Sequence, residues 1–183
     1  MISYNDALSL MHEYTKSDAL RKHMYAVESA MRAYARKFGE DEETWAITGV
    51  LHDFDYELYP AAPDHPTKGA QILRDKDYPE VIINAILGHA SYTGVPRDTL
   101  MAKALYACDE LCGFINAVAI IRPNKIADLE VPSVKKKLKD KAFAKNVSRE
   151  EMEEGAKELG IPLDEHIKFV IEAMKLVASK IGL

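Results

Sequence analysis

The chain has 183 residues, 48% of them hydrophobic, a length suited to one domain and a composition able to build a sizeable core. Its 24 Lys and Arg stand against 29 Asp and Glu, a formal charge of −5 at pH 7, which gives no broad attraction to nucleic acid or an anionic membrane surface. The opening Met1-Ile2-Ser3 lacks a basic segment followed by an apolar one, and no apolar run approaches the ~18 residues of a membrane span, so a soluble, cytoplasmic protein is expected.

Apolar residues recur at helical spacing along most of the chain, and clear strand alternation is missing. Leu20, Met24, Val27, Met31 and Tyr34 form one face between Ser17, an N-cap, and Gly39, a C-terminal stop, and His23 falls on that face. Trp45 to Leu51 form a shorter helix that runs into His52-Asp53, after which Pro60 and Pro63 impose a loop. Asp64-His65-Pro66 opens the next helix through Ile72 and Leu73, and Tyr78-Pro79-Glu80 opens another that ends at Gly88-His89. From Asp98 to Ile121 the sequence is apolar nearly all round, as in a central buried helix, with Asp109 in its middle. Beyond Pro123 come a lysine-rich stretch from Lys135 to Lys141, a capped helix start at Ser148, and an amphipathic helix after Pro162 whose apolar positions include Ile167, Val170, Ile171 and Met174. The expectation is an all-α, single-domain helical bundle over 1–183.

Six residues stand out against this background: His23, His52, Asp53, His65, His89 and Asp109. Imidazole and carboxylate together suit borderline divalent metals, and six such groups exceed one tetrahedral site, so the set predicts two ions. Adjacent ligands such as His52 and Asp53 diverge by about 100° on a regular helix and converge on one ion most easily at a helix end. Asp109 must be paired, protonated or metal-bound if its helix is buried, and its i ± 4 neighbours, Leu105 and Gly113, offer no countercharge. Lys68, three residues after His65, would share its helical face and could hold a phosphate oxygen, with a solvated lysine as the equal alternative. Arg97, Lys125, Lys141, Lys145 and Arg149 could add anion contacts if later segments close over the site. Asp55 and Glu57 read first as surface carboxylates of the loop, with support of a ligand or contact with substrate as the alternative; Cys108 and Cys112 read as reduced core residues without a metal role, and His12 and His166 receive no function. The lysine-rich stretch lacks interleaved aromatics, so no nucleic-acid partner is expected.

In type and order these residues resemble the HD superfamily of metal-dependent phosphohydrolases, whose motif of a first His, a His-Asp doublet and a distant Asp reads here as His23, His52-Asp53 and Asp109. His65 and His89 resemble the two intervening histidines of its binuclear branch. The resemblance covers roughly the first two-thirds of the chain. It implies a metal-binding core over about 17–122, with helices of 123–183 packed on it. One ion would be held by His23, His52, Asp53 and Asp109 and the other by His65 and His89, with Asp53 bridging. The cofactors would be two divalent ions, iron or manganese first, with cobalt, nickel, zinc or magnesium as alternatives. The implied activity is hydrolysis of a small phosphate ester such as a nucleotide by metal-activated water, with Asp53 and Lys68 as catalytic groups and Lys68 and Arg97 binding substrate. Alternatives are a di-iron oxygenase built on the same ligands and a non-catalytic metal- or nucleotide-binding sensor. Self-association into a homo-oligomer is compatible with the apolar helix faces. Where many relatives continue His-Asp-Ile-Gly, this chain has Phe54-Asp55 after the doublet.

Overall fold

Helical periodicity carries through to a structure of ten α-helices and one 3₁₀ turn, with no strand among residues 2–183, the residues that the computed structural model describes. In chain order the helices are α1 (Tyr4–Tyr14), α2 (Asp18–Phe38), α3 (Glu42–Leu51), α4 (Asp64–Asp75), α5 (Glu80–His89), α6 (Leu100–Ile120), α7 (Val131–Leu138), α8 (Arg149–Leu159), α9 (Leu163–Lys175) and α10 (Ala178–Ile181). The 3₁₀ turn, Ser91–Thr93, follows α5. Ser17, Asp41, Thr99 and Ser148 each place a side-chain oxygen on a backbone N–H of the first turn of α2, α3, α6 and α8, satisfying a donor that the helix itself leaves unpaired. The starts expected at Ser17, Pro79, Ser148 and Pro162 therefore stand, and α2 stops at Gly39.

Two local features differ from the sequence expectation. α1 lies outside the helices read from apolar spacing; its signal is the capping box formed by Ser3 and Asp6, with Ala7, Leu10 and Met11 on its buried side. α4 becomes regular only after Pro66, because His65 is extended (φ −80°, ψ 136°). A residue before proline is pushed from the α region towards extended backbone, so the ring of Pro66 accounts for the break.

α6 is apolar nearly all round because it is surrounded: it packs against α2, α5, α8 and α9, with smaller contacts to α3 and α7. Leu105, Leu111, Phe114 and Ile115 on it are fully buried, each worth roughly 1.5–3 kcal/mol of transfer free energy. α8 lies close against it at Gly155, where a Cβ would come within 2.6 Å of the Ala107 Cα. α9 spans α2 and α6, and α10 packs on α2. Cys108 and Cys112 are free and buried in this core. Among the described residues no helix is long and apolar enough to cross a membrane.

Candidate metal centre

Five of the six candidate ligands sit on or beside α2, α3, α4 and α5, and the sixth comes from the middle of α6. His23 projects from α2. His52 caps the C-terminus of α3, with Asp53 in the turn that follows, so the doublet leaves the regular helix where adjacent side chains can converge. His65 precedes the regular part of α4, His89 is the last residue of α5, and Asp109 comes from α6.

The structure brings all six together in two groups. His23, His52, Asp53 and Asp109 form one and Asp53, His65 and His89 the other, with the donor atoms of each group mutually within 4.8 Å. Asp53 is common to both and divides its oxygens between them. Its Oδ1 lies 3.3 Å from His65 Nε2 and 3.4 Å from His89 Nε2, while Oδ2 lies 3.5 Å from His52 Nε2 and 3.8 Å from His23 Nε2. Asp109 Oδ1 is 2.9 Å from His23 Nε2 and 3.4 Å from His52 Nε2.

The donor chemistry fits a metal. His52 Nδ1–H donates to the Gly49 carbonyl at 2.8 Å, His89 Nδ1–H to the Ile86 carbonyl at 2.5 Å, and His65 Nδ1–H to Asp55 Oδ1 at 2.8 Å. With one proton fixed on Nδ1 by an acceptor, each Nε2 faces the centre and can offer its lone pair to a metal that displaces any proton there, the tautomer that a metal ligand requires.

Comparison with protein families identifies the arrangement: the HD domain model matches residues 20–112, just over half of the chain and a span containing all six residues. The chain belongs to the HD domain family. HD domains bind divalent metals and are generally metal-dependent hydrolases. No curated protein and no solved structure shows significant similarity to the chain.

The electrostatics of this HD centre favour added positive charge. Burial opposes a charge on His65, but hydrogen bonds to Asp53 and Asp55 outweigh it and push the pKa up to about 9. His52 and His89 shift upward against the same burial penalty, through Asp53 and Asp109. Burial would raise the two carboxylates, yet the neighbouring imidazoles hold both well below the usual range. Such a centre attracts cations, whether protons or metal ions, and the two compete.

A cavity of about 480 Å³ opens on the ligands. Beyond the ligands its walls include Tyr56, Ser91, Tyr92, Glu110, Asn146 and Glu151, so the segment between α7 and α8 reaches over the site. Glu110 Oε2 accepts the Ser148 N–H at 2.7 Å. Burial, followed by the charge of Asp109, pushes the Glu110 pKa up to about 7.

No Lys or Arg lines the cavity among the described residues, so the structure does not place the expected anion contacts on its walls. Lys68 is exposed and outside the lining: its placement beside His65 assumed a continuous helix, and the extended backbone at His65 and Pro66 breaks that relation. Arg97 is held elsewhere. Its Nε and Nη2 donate to Glu158 at 2.7 and 2.6 Å, Nη1 donates to the Gly88 carbonyl, and the guanidinium lies 3.7 Å over the Tyr106 ring. Lys141 and Lys145 are exposed and off the lining, Lys125 donates to the Gly182 carbonyl, and Arg149 gathers carbonyls of residues 140–147. Asp55, read from the sequence as a surface carboxylate, is fully buried. Glu57 is exposed and accepts the Lys16 and Ser17 N–H groups ahead of α2.

Proposed function

We propose that this HD protein is a binuclear metal-dependent phosphohydrolase acting on a small phosphate ester, such as a nucleotide, with iron or manganese as the resident ions. The observation that carries the reading is the division of the donors into two groups that share only Asp53, one oxygen turned to each. His23, His52, Asp53 and Asp109 would hold one ion, and Asp53, His65 and His89 the other.

Bound divalent ions supply Lewis acidity, lowering the pKa of water towards neutrality and screening phosphate charge. The chain's own part is to fix the donors. Backbone carbonyls of Gly49 and Ile86 hold two of the imidazoles, and Asp53 holds the two groups in one register. Countercharge for a phosphate falls to the centre itself, because the lining offers no cationic side chain among the described residues. A cavity of about 480 Å³ is in the range of small-molecule sites. Tyr56 and Tyr92, 43% and 57% exposed, offer flat apolar faces at its edge for the organic part of the ester.

The test is Asp53→Ala, assayed for bound metal and for phosphate release from a panel of nucleotides and sugar phosphates. Loss of both ions together with turnover is expected. Retention of two ions with unchanged hydrolysis overturns the proposal. Strict iron dependence with oxygen uptake in the parent protein, and no hydrolysis, replaces it with the oxygenase reading.

A further inference from the structure

Three of the four clustered imidazoles have a fixed Nδ1, but by two different devices. His52 and His89 stand at the C-terminal ends of α3 and α5 and reach back three residues to a carbonyl of their own helix. Such carbonyls lack intrahelical partners, so any histidine at a helix end can find one. His65 has no such option, because it precedes its helix on extended backbone and is followed by Pro66. The chain supplies a carboxylate instead. Asp55, with no exposed surface, accepts His65 Nδ1–H on Oδ1 and the Gly69 N–H on Oδ2, both at 2.8 Å.

A buried ionised carboxylate is costly unless both oxygens are paired, and here both are. The close fit depends on Gly69: a Cβ there would lie 2.7 Å from Asp55 Cγ and 2.8 Å from Oδ2. The Tyr56 ring packs edge-on to His65 with centroids 5.1 Å apart, and Tyr92 Oη–H donates to the His65 carbonyl. The imidazole is thus fixed from several sides, and only Asp55 brings a negative charge to its Nδ1. An anionic acceptor there holds the tautomer and raises the basicity of Nε2 more than a carbonyl does.

We infer that Asp55 is a positioning residue that selectively strengthens the ion site formed by Asp53, His65 and His89. The assignment rests on the binuclear reading above. Asp55 is the second residue after the doublet, so the doublet segment furnishes both a ligand, Asp53, and the support for a ligand on α4, His65. In Asp55→Asn one amide orientation keeps the bond to His65 but turns an NH₂ donor towards the Gly69 N–H, and the other reverses the loss. Either way one bond and the charge disappear while the shape stays.

The test is titration of chelator-stripped full-length protein with Mn²⁺, resolving two binding steps, alongside thermal melting of the metal-free protein. Asp55→Asn should weaken one step roughly 10- to 100-fold and leave the other within about twofold. Gly69→Ala serves as the second variant: it keeps the charge and the backbone N–H but pushes the carboxylate aside, and should weaken the same step by a smaller factor. It carries the test if Asp55→Asn does not fold. Two steps at parent affinity in a folded variant, or an equal loss at both steps, overturn the role of Asp55. A parent protein that binds fewer than two ions overturns the binuclear reading itself, and this inference with it.

Discussion

Two buried histidines at different places in the bundle show what distinguishes a ligand from a core residue. His166 on α9 has no exposed surface; its Nδ1 accepts from Tyr34 Oη–H at 2.6 Å and its Nε2–H donates to the Ala107 carbonyl at 2.8 Å. Both partners are neutral, both ring nitrogens are used, and burial lowers its pKa. His65 is nearly as buried, yet it lies between the carboxylates of Asp53 and Asp55, and its pKa moves up to about 9. Burial alone does not mark a site. The charge of the partners does, together with a nitrogen left facing other donors.

The comparison breaks most visibly at Asp53, the residue shared by both groups. Asp53→Ala should take the metal content from about two ions per chain to none and hydrolysis to background, read by elemental analysis and phosphate release. His166→Ala should do the reverse. It removes two buried hydrogen bonds and leaves a void, costing about 2–4 kcal/mol in denaturant unfolding, while the metal content stays at the parent value. Loss of metal from His166→Ala without loss of stability would contradict the distinction.

Opposite pH dependences sharpen it further. His166 has a folded pKa below its unfolded value of about 6.5, so its contribution to stability is present above that pH and is lost as pH falls below it. Melting curves should show a shallower acid decline for His166→Gln than for the parent. His65 has the other sign. In metal-free protein its pairing with Asp53 and Asp55 contributes fully below pH ~6.5 and is lost as pH rises through about 9. Metal uptake at neutral pH should therefore release protons, and affinity should weaken as pH falls from about 9, which titration calorimetry in buffers of different ionisation enthalpy would detect.

The smallest effect is expected at Lys68. It is exposed and off the cavity lining, so Lys68→Ala should change stability by no more than about 0.5 kcal/mol and leave KM and metal content unaltered. A marked rise in KM would return it to the site.

The helices and the order of the six clustered residues were legible because both depend on local pattern. His52 and His89 end apolar runs, His23 shares the face of Leu20 and Val27, and Asp109 lies in the middle of a mostly apolar helix. What escaped the pattern depends on contacts between distant segments. Asp55 reads first as a loop carboxylate, with a ligand-supporting role only as the alternative, because its partners, His65 and Gly69, lie 10 and 14 residues onward and meet it only after the loop and α4 fold back. Arg97 looked free because Glu158 is 61 residues away. Lys68 was misplaced by one backbone break at His65, which the following proline could have signalled. Glu110 and Glu151 give no sequence signal at all; they enter the cavity wall because α8 packs on α6.

The most direct test of the two-ion account is metal content per chain in protein purified without chelator, joined to a phosphatase screen across nucleotides, dinucleotides and sugar phosphates under several divalent metals. The account predicts close to two ions per chain and release of phosphate from at least one ester. A single ion or none would contradict the shared role of Asp53, and two irons with oxygen consumption but no phosphate release would contradict the hydrolase.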